Sequence, residues 1–154
     1  MKRGLIIVKS CEKHVKMSSL PPASTSSPSE FGLFDSVPTD YLSFGHGRSF
    51  DAKKAAQFLT LKKADVGRIA SVSQSSVRYD EHIPESVRLR LEEIAMTINW
   101  VAKQFDGDAE KTVAWFHARN PLLGDISPRD MIRLGRFERL RKFIIQAMVS
   151  QTRV

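Results

Sequence analysis

Residues 115–144 read WFHARNPLLGDISPRDMIRLGRFERLRKFI, and the turn and cap residues in this stretch decide how the chain folds. Asn120-Pro121 closes the helix that carries Trp115 and Phe116, because a residue before proline is pushed out of the α region and proline has no amide to donate. Leu122, Leu123 and Gly124 then form a tight apolar corner. Ser127-Pro128-Arg129-Asp130 is a helix start, with serine at the N-cap, proline at the first helical position and an acid three residues after the serine. Gly135 stops that helix after about two turns, where a left-handed residue is wanted. A further helix runs from Phe137 to about Val149, with Phe137, Leu140, Ile144, Ala147 and Met148 on one face; Phe143 and Ile145 widen it beyond a single stripe.

Upstream, Asp106-Gly107-Asp108 breaks the chain and caps a helix from Ala109 to about Arg119. Its inner face is Ala109, Thr112, Val113 and Phe116, and Trp115 points elsewhere. The longest helix is expected from Pro84 to Phe105, where Val87, Leu91, Ile94, Ile98, Val101 and Phe105 step alternately by four and three residues. Leu89, Met96 and Trp100 form a second stripe, so both faces need cover. This helix is the spine joining the N-terminal helices to the C-terminal group, and a dimer contact is the alternative use of the second stripe. Its Met and Trp need no cofactor.

Residues 51–59, DAKKAAQFL, suit a helix with Ala55, Phe58 and Leu59 on one side. The segment ADVGRIASVSQSSVRYD that follows has the pattern of a helix-turn-helix: Val66, Ala70, Val72 and Val77 at buried positions, Gly67 at the crossing, Ser71 in the turn. Ser73 caps the second helix, and Ser73, Gln74, Ser75, Ser76, Arg78 and Tyr79 are the candidate DNA-binding residues. Gln can pair with adenine, Arg with guanine, and hydroxyls with phosphate. Against this, Asp80 and Glu81 close the element with negative charge and Pro84 follows at once. A small helical hairpin that only packs is the alternative.

Residues 1–48 read as a flexible arm. Between Ser18 and Pro38 serine and proline dominate without period, and such a segment buries too little apolar surface to offset its ordering entropy. Phe31, Leu33, Phe34, Tyr41, Leu42 and Phe44 are candidate docking anchors within it. Cys11 is the single cysteine, so no internal disulfide or Cys-based metal site forms in one chain, which suits a reducing, cytoplasmic setting. The run Leu5–Val8 is too short for a signal segment, and no stretch is long enough to cross a bilayer.

The net charge is +7 over 154 residues, and its placement matters. Arg129, Arg133, Arg136, Arg139, Arg141, Lys142 and Arg153 face only Asp130 and Glu138 over the last stretch, so the positive field sits at the C-terminal end. Catalysis finds no support: His117 and Asp125 are the lone acid–base candidates and neither has a partner at a telling spacing. No nucleophile–base pair, metal cluster or phosphate-cradling glycine loop is visible, so neither a cofactor nor an enzyme is expected.

Trp115, Asn120, Pro121, Leu123, Gly124, Ser127, Pro128, Met131, Ile132, Gly135 and Leu140 together resemble the toxin-binding domain of the Xre/MbcA/ParS antitoxins, partners of NAD-consuming RES-type toxins. Asp125 departs from the second glycine many members have there, at a turn position Asp tolerates. With the preceding segment the resemblance covers about residues 51–150. It implies an all-α protein: a flexible arm (1–48), an Xre-like helix-turn-helix domain (49–104) and a toxin-binding domain (105–154). It implies an antitoxin that inhibits its toxin, represses its own operon on operator DNA and forms a homodimer or a higher hetero-oligomer with the toxin. The residues so placed at the toxin are Trp115, Arg133, Arg136, Arg139, Arg141, Lys142, Arg153 and Val154, the last two at the mouth of the toxin's pocket. A helix-turn-helix regulator without a toxin partner is the alternative.

Overall fold

Short polar side chains set the helix boundaries. The computed structural model describes residues 32–152 and contains α1 (Ala52–Phe58), α2 (Lys63–Ala70), α3 (Glu85–Gln104), α4 (Ala109–His117), α5 (Pro128–Arg133) and α6 (Phe137–Thr152). Single 3-10 turns at Leu33–Ser36, Gly47–Ser49, Gln74–Ser76 and Pro121–Leu123 fill the connections, and among the described residues no strand forms beyond an isolated bridge between Asn120 and Ile126. The architecture is all-α, as the periodicity requires. Asp51, Asp108 and Ser127 each accept a hydrogen bond from the amide three residues on, at 2.9, 3.0 and 3.1 Å, and so start α1, α4 and α5. Left-handed residues end or follow helices at Ser71 (φ 59°), Asp106 (φ 55°) and Gly135 (φ 76°).

Ser127 is buried, so its cap offers a simple check. Ser127→Ala is expected to lower stability by about 1 kcal/mol in denaturant unfolding, with an unchanged m-value. A loss under a few tenths would show that Pro128 alone starts α5.

The core is one cluster running from Phe34 to Ile144. The seam of α3 (Val87, Leu91, Ile94, Ile98, Val101) is buried throughout, and Phe116 of α4, Met131 and Ile132 of α5, and Phe137, Leu140 and Ile144 of α6 join it. Each large side chain buried in this way contributes about 1.5–3 kcal/mol of transfer free energy. Packing is continuous across residues 104 and 105.

Residues 32–48, read from the sequence as part of a flexible arm, are folded onto the helical core. Phe34 and Phe44 are fully buried and meet edge-to-face at 5.8 Å, and Phe50 lies 5.5 Å from Phe34. The backbone here is satisfied by carboxylates: Asp40 accepts from the amides of Phe44 and Gly45, and Asp35 from those of Gly32 and Gly47. Two α3 side chains complete the attachment. Glu92 accepts from Leu33 N at 3.0 Å, while Asn99 accepts from Tyr41 N at 2.9 Å and donates to Thr39 O at 2.7 Å. Aromatic burial and these bonds together offset the ordering entropy. Of the other expected anchors, Tyr41 and Leu42 are half-buried, Leu33 is exposed, and Phe31 lies outside the described residues with Leu5–Val8 and Cys11.

Candidate partner-binding site

Basic residues near the C-terminal end divide by what they touch. Arg129 donates from Nε to Leu59 O and from Nη2 to Thr60 O, closing the end of α1 where Thr60 is left-handed (φ 52°). Arg133 donates to Asp130 at 3.1 Å, and its buried Nε faces Asp65 at 3.3 Å as an ion pair without good hydrogen-bond geometry. The hydrogen bond with Asp130 and the charge of Asp65 hold the Arg133 guanidinium above its ordinary value. Arg68 adds a bond to Arg133 O at 2.8 Å. Arg129 and Arg133 therefore fasten α5 to α1 and α2, so the guanidinium of Arg133 is engaged within the fold.

Three further cations face solvent. Arg136, Arg139 and Lys142 are exposed and have no ion-pair partner among the described residues, whereas Arg141 is half-buried and reaches Glu138 at 3.4 Å. Since α6 buries Phe137, Leu140 and Ile144, helical spacing turns Ile145 and Val149 away from the core. They are 37% and 48% exposed and lie one turn apart, with Arg141 one turn before Ile145 and Lys142 beside it. Ile145 and Val149 thus form an exposed apolar pair edged by Arg141 and Lys142.

Trp115 lies elsewhere. It contacts Phe116 edge-on at 5.1 Å and lines an apolar groove of about 270 Å³ with Trp100, Phe105, Phe143, Ala147 and Met148. Phe143 and Ala147 lie about 200° and 160° around α6 from Ile145. The structure thus separates two features the sequence placed in one site: an exposed apolar-basic face of α6, and an aromatic groove on its other side. Arg153 and Val154 lie outside the described residues.

The segment expected to read DNA is smaller than a recognition helix. From Ser73 the chain makes one 3-10 turn, Gln74–Ser76, and the Ser73 hydroxyl bonds to those of Ser75 and Ser76 instead of capping an amide. Serine favours such local bonding over helix. Tight contact with α2 fixes the turn: a Cβ at Gly67 would stand 2.8 Å from Val72 O and 3.4 Å from the Gln74 backbone. Gln74, Ser75 and Ser76 are exposed, Val77 is buried, and burial pushes up the half-buried Tyr79 phenol. Arg78 is not free. It grips Asp80 bidentately, with a closest approach of 2.6 Å, and this hydrogen bonding together with the His82 amide holds the Asp80 carboxyl down to about 2. Asp80 stays ionised above that value, so the clasp persists at neutral pH.

The acid–base candidates have structural partners. His117 Nδ1 lies 2.9 Å from Val113 O and therefore donates to it, leaving Nε2 to accept from the Thr60 hydroxyl at 3.1 Å. Asp125 is exposed and lies 3.5 Å from Arg119. Asp80, Glu81 and His82 bring ligand-type atoms within 4.8 Å of one another on an exposed turn, but the Asp80 carboxylate is already occupied by Arg78. No helix among the described residues is long and apolar enough to cross a membrane.

Sequence reasoning did not single out Val149, or Trp100 and Phe105 as groove walls. Val149 had a usable signal, since it follows Ile145 by four residues on a helix whose other face was already apolar. No protein-family model matches this chain, and no curated protein matches its sequence. Among solved structures, the chain is similar to one from the M. tuberculosis MbcT–MbcA toxin–antitoxin complex, at 21% identity over 60% of this chain and 86% of that one, with a TM-score of 0.37, a likeness too faint to carry an argument.

Proposed function

We propose that this chain is a non-enzymatic antitoxin that binds and inhibits a cognate NAD-consuming toxin of the RES type and represses its own operon. The observation that carries the reading is the outer face of α6: Ile145 and Val149 exposed, with Arg141 and Lys142 beside them. Non-obligate interfaces combine an apolar centre with a polar rim, and arginine is enriched among their anchors. The resemblance carried by Trp115 through Leu140 names the partner class.

The test is co-expression with the product of the neighbouring gene. That product alone should deplete cellular NAD and stop growth; with the full chain present, NAD and growth should recover and the two should copurify. Failure to copurify, or consumption of NAD by this chain alone, overturns the reading.

Operator binding in this proposal uses the exposed 3-10 turn, and assembly into a dimer or larger complex with the toxin multiplies the contact of so short an element. Gln74→Glu places a negative charge where a base edge or phosphate would lie, and is expected to weaken operator binding at least tenfold in a gel-shift titration. Toxin capture should be unchanged. Equal loss of both would assign Gln74 a structural role.

A further inference from the structure

The turn expected to read DNA brings no free cation of its own. Arg78 is clasped by Asp80, and Glu81 adds a further exposed carboxylate. Duplex binding draws much of its affinity from phosphates neutralised by lysine and arginine, so a turn of this kind needs cations from a neighbouring element. The fold supplies them from a distant part of the sequence.

Gly67 of α2 lies against the turn, so close that a Cβ would stand 2.8 Å from Val72 O and 3.4 Å from the Gln74 backbone. Arg68 follows it and donates from Nη1 to Arg133 O, at the end of α5, at 2.8 Å. Arg133 Nε lies 3.3 Å from the Asp65 carboxylate, which also accepts from Lys62 N at 3.0 Å. The junction of α2 with α5 thereby gathers Lys62, Arg68, Arg133 and, three residues on, Arg136. The carboxylates paired with these arginines are Asp65, which is buried, and Asp130. Lys62 and Arg136 are exposed with no ion-pair partner among the described residues, and the Arg68 side chain is 57% exposed, so the junction presents a positive surface. Arg136 precedes Ile145 by nine residues, about 13 Å along α6, which separates it from the apolar pair on the outer face.

We propose that the junction of α2 with α5 holds a nucleic-acid backbone, Lys62, Arg68 and Arg136 neutralising phosphates beside the exposed turn Gln74–Ser76. Arg136, which the resemblance places at the toxin, is thereby assigned to DNA. The inference rests on the operator reading for its partner and adds to it cations from both halves of the chain. Phosphate contacts carry no sequence information, so the junction sets affinity for any duplex while the turn sets preference.

The experiment is an anisotropy titration of the full chain over a salt series, on two labelled duplexes of equal length: the region upstream of the chain's own gene and an unrelated sequence. The test variant is Lys62→Gln with Arg136→Gln, and the control, Lys103→Gln with Lys111→Gln, removes the same charge elsewhere. All four positions are exposed, and circular dichroism checks that each variant folds; Arg68 is kept because it also holds Arg133 O. The test variant should bind both duplexes at least about tenfold more weakly than the parent. Its slope of log affinity against log salt should fall by about 2, since each phosphate contact contributes about 0.9, while the control keeps the parent slope. An unchanged slope in the test variant, an equal fall in the control, or a parent that binds neither duplex would each overturn the proposal. So would a test variant that keeps its DNA affinity and loses toxin capture, which would give the junction to a protein partner. A parent that holds both duplexes equally, with the test variant weakened on both, would sink the operator reading and leave the phosphate surface standing.

Discussion

Asn99→Ala is expected to destabilise the protein by about 2–4 kcal/mol, a large share of the stability of a chain this size. Asn99 is buried on α3 and is the partner of both Tyr41 N and Thr39 O. Truncation leaves a donor and an acceptor unpaired beside a hole, and each orphaned group costs about 1–3 kcal/mol, reduced where water enters. The loss should concentrate in residues 32–50, so amide exchange there should accelerate before exchange in α3 does. A change below about 0.5 kcal/mol would show that aromatic burial alone attaches this segment.

Glu92 provides the pH-dependent counterpart. Burial pushes its carboxyl above the ordinary value near 4.5, against the opposing pulls of the Leu33 amide and Arg88. The folded protein therefore holds this proton more tightly than the unfolded chain. The stabilisation linked to it is complete below about pH 4.5 and is lost as pH rises through the raised folded value. Glu92→Gln removes that titration, so the variant should gain stability relative to the parent as pH increases across this window. Denaturant unfolding of both proteins from about pH 4 to 8 measures the difference, and a flat difference would mean that the carboxylate is ionised at no cost.

The largest expected effect on binding comes from the outer face of α6. Ile145→Asp combined with Val149→Asp should weaken toxin capture by at least about a hundredfold, since charged groups would replace the apolar centre of the contact. Both residues are exposed, so the fold and thermal midpoint should hold. Arg139→Glu with Lys142→Glu should act differently, slowing association and steepening its response to salt while changing dissociation less, because rim charges chiefly steer encounter. Calorimetry and stopped-flow kinetics separate the two. Full capture by the double aspartate variant would place the interface elsewhere.

The starts at Asp108 and Ser127 were legible because their chemistry is local: each caps within three residues of its own position, and the glycine and proline punctuation acts on the backbone beside it. The cap at Asp51 was not singled out, and the one expected at Ser73 does not form. The seam of α3 was legible because apolar periodicity reports burial directly. Its second buried face was not. Glu92, Ala95, Asn99 and Ala102 repeat with the same alternation of three and four residues, but polar and small residues in that register look solvated until the backbone they satisfy is folded over them. The candidate site was half legible: its cations and Ile145 stood out in the sequence, whereas Val149 and the separation from Trp115 did not.

By itself, then, the sequence determined an all-helical chain, the caps at Asp108 and Ser127 and a cationic C-terminal end, since these follow from bonds and sterics a few residues long, while the expected cap at Ser73 gave way to a 3-10 turn. Only the tertiary structure decided which cations are free. Arg129 and Arg133 bind groups contributed by the turn after α1 and by α2, while Arg136, Arg139 and Lys142 meet no ion-pair partner among the described residues. A long flexible guanidinium takes whichever carbonyl or carboxylate packing brings within reach, and that choice is made between elements distant in sequence.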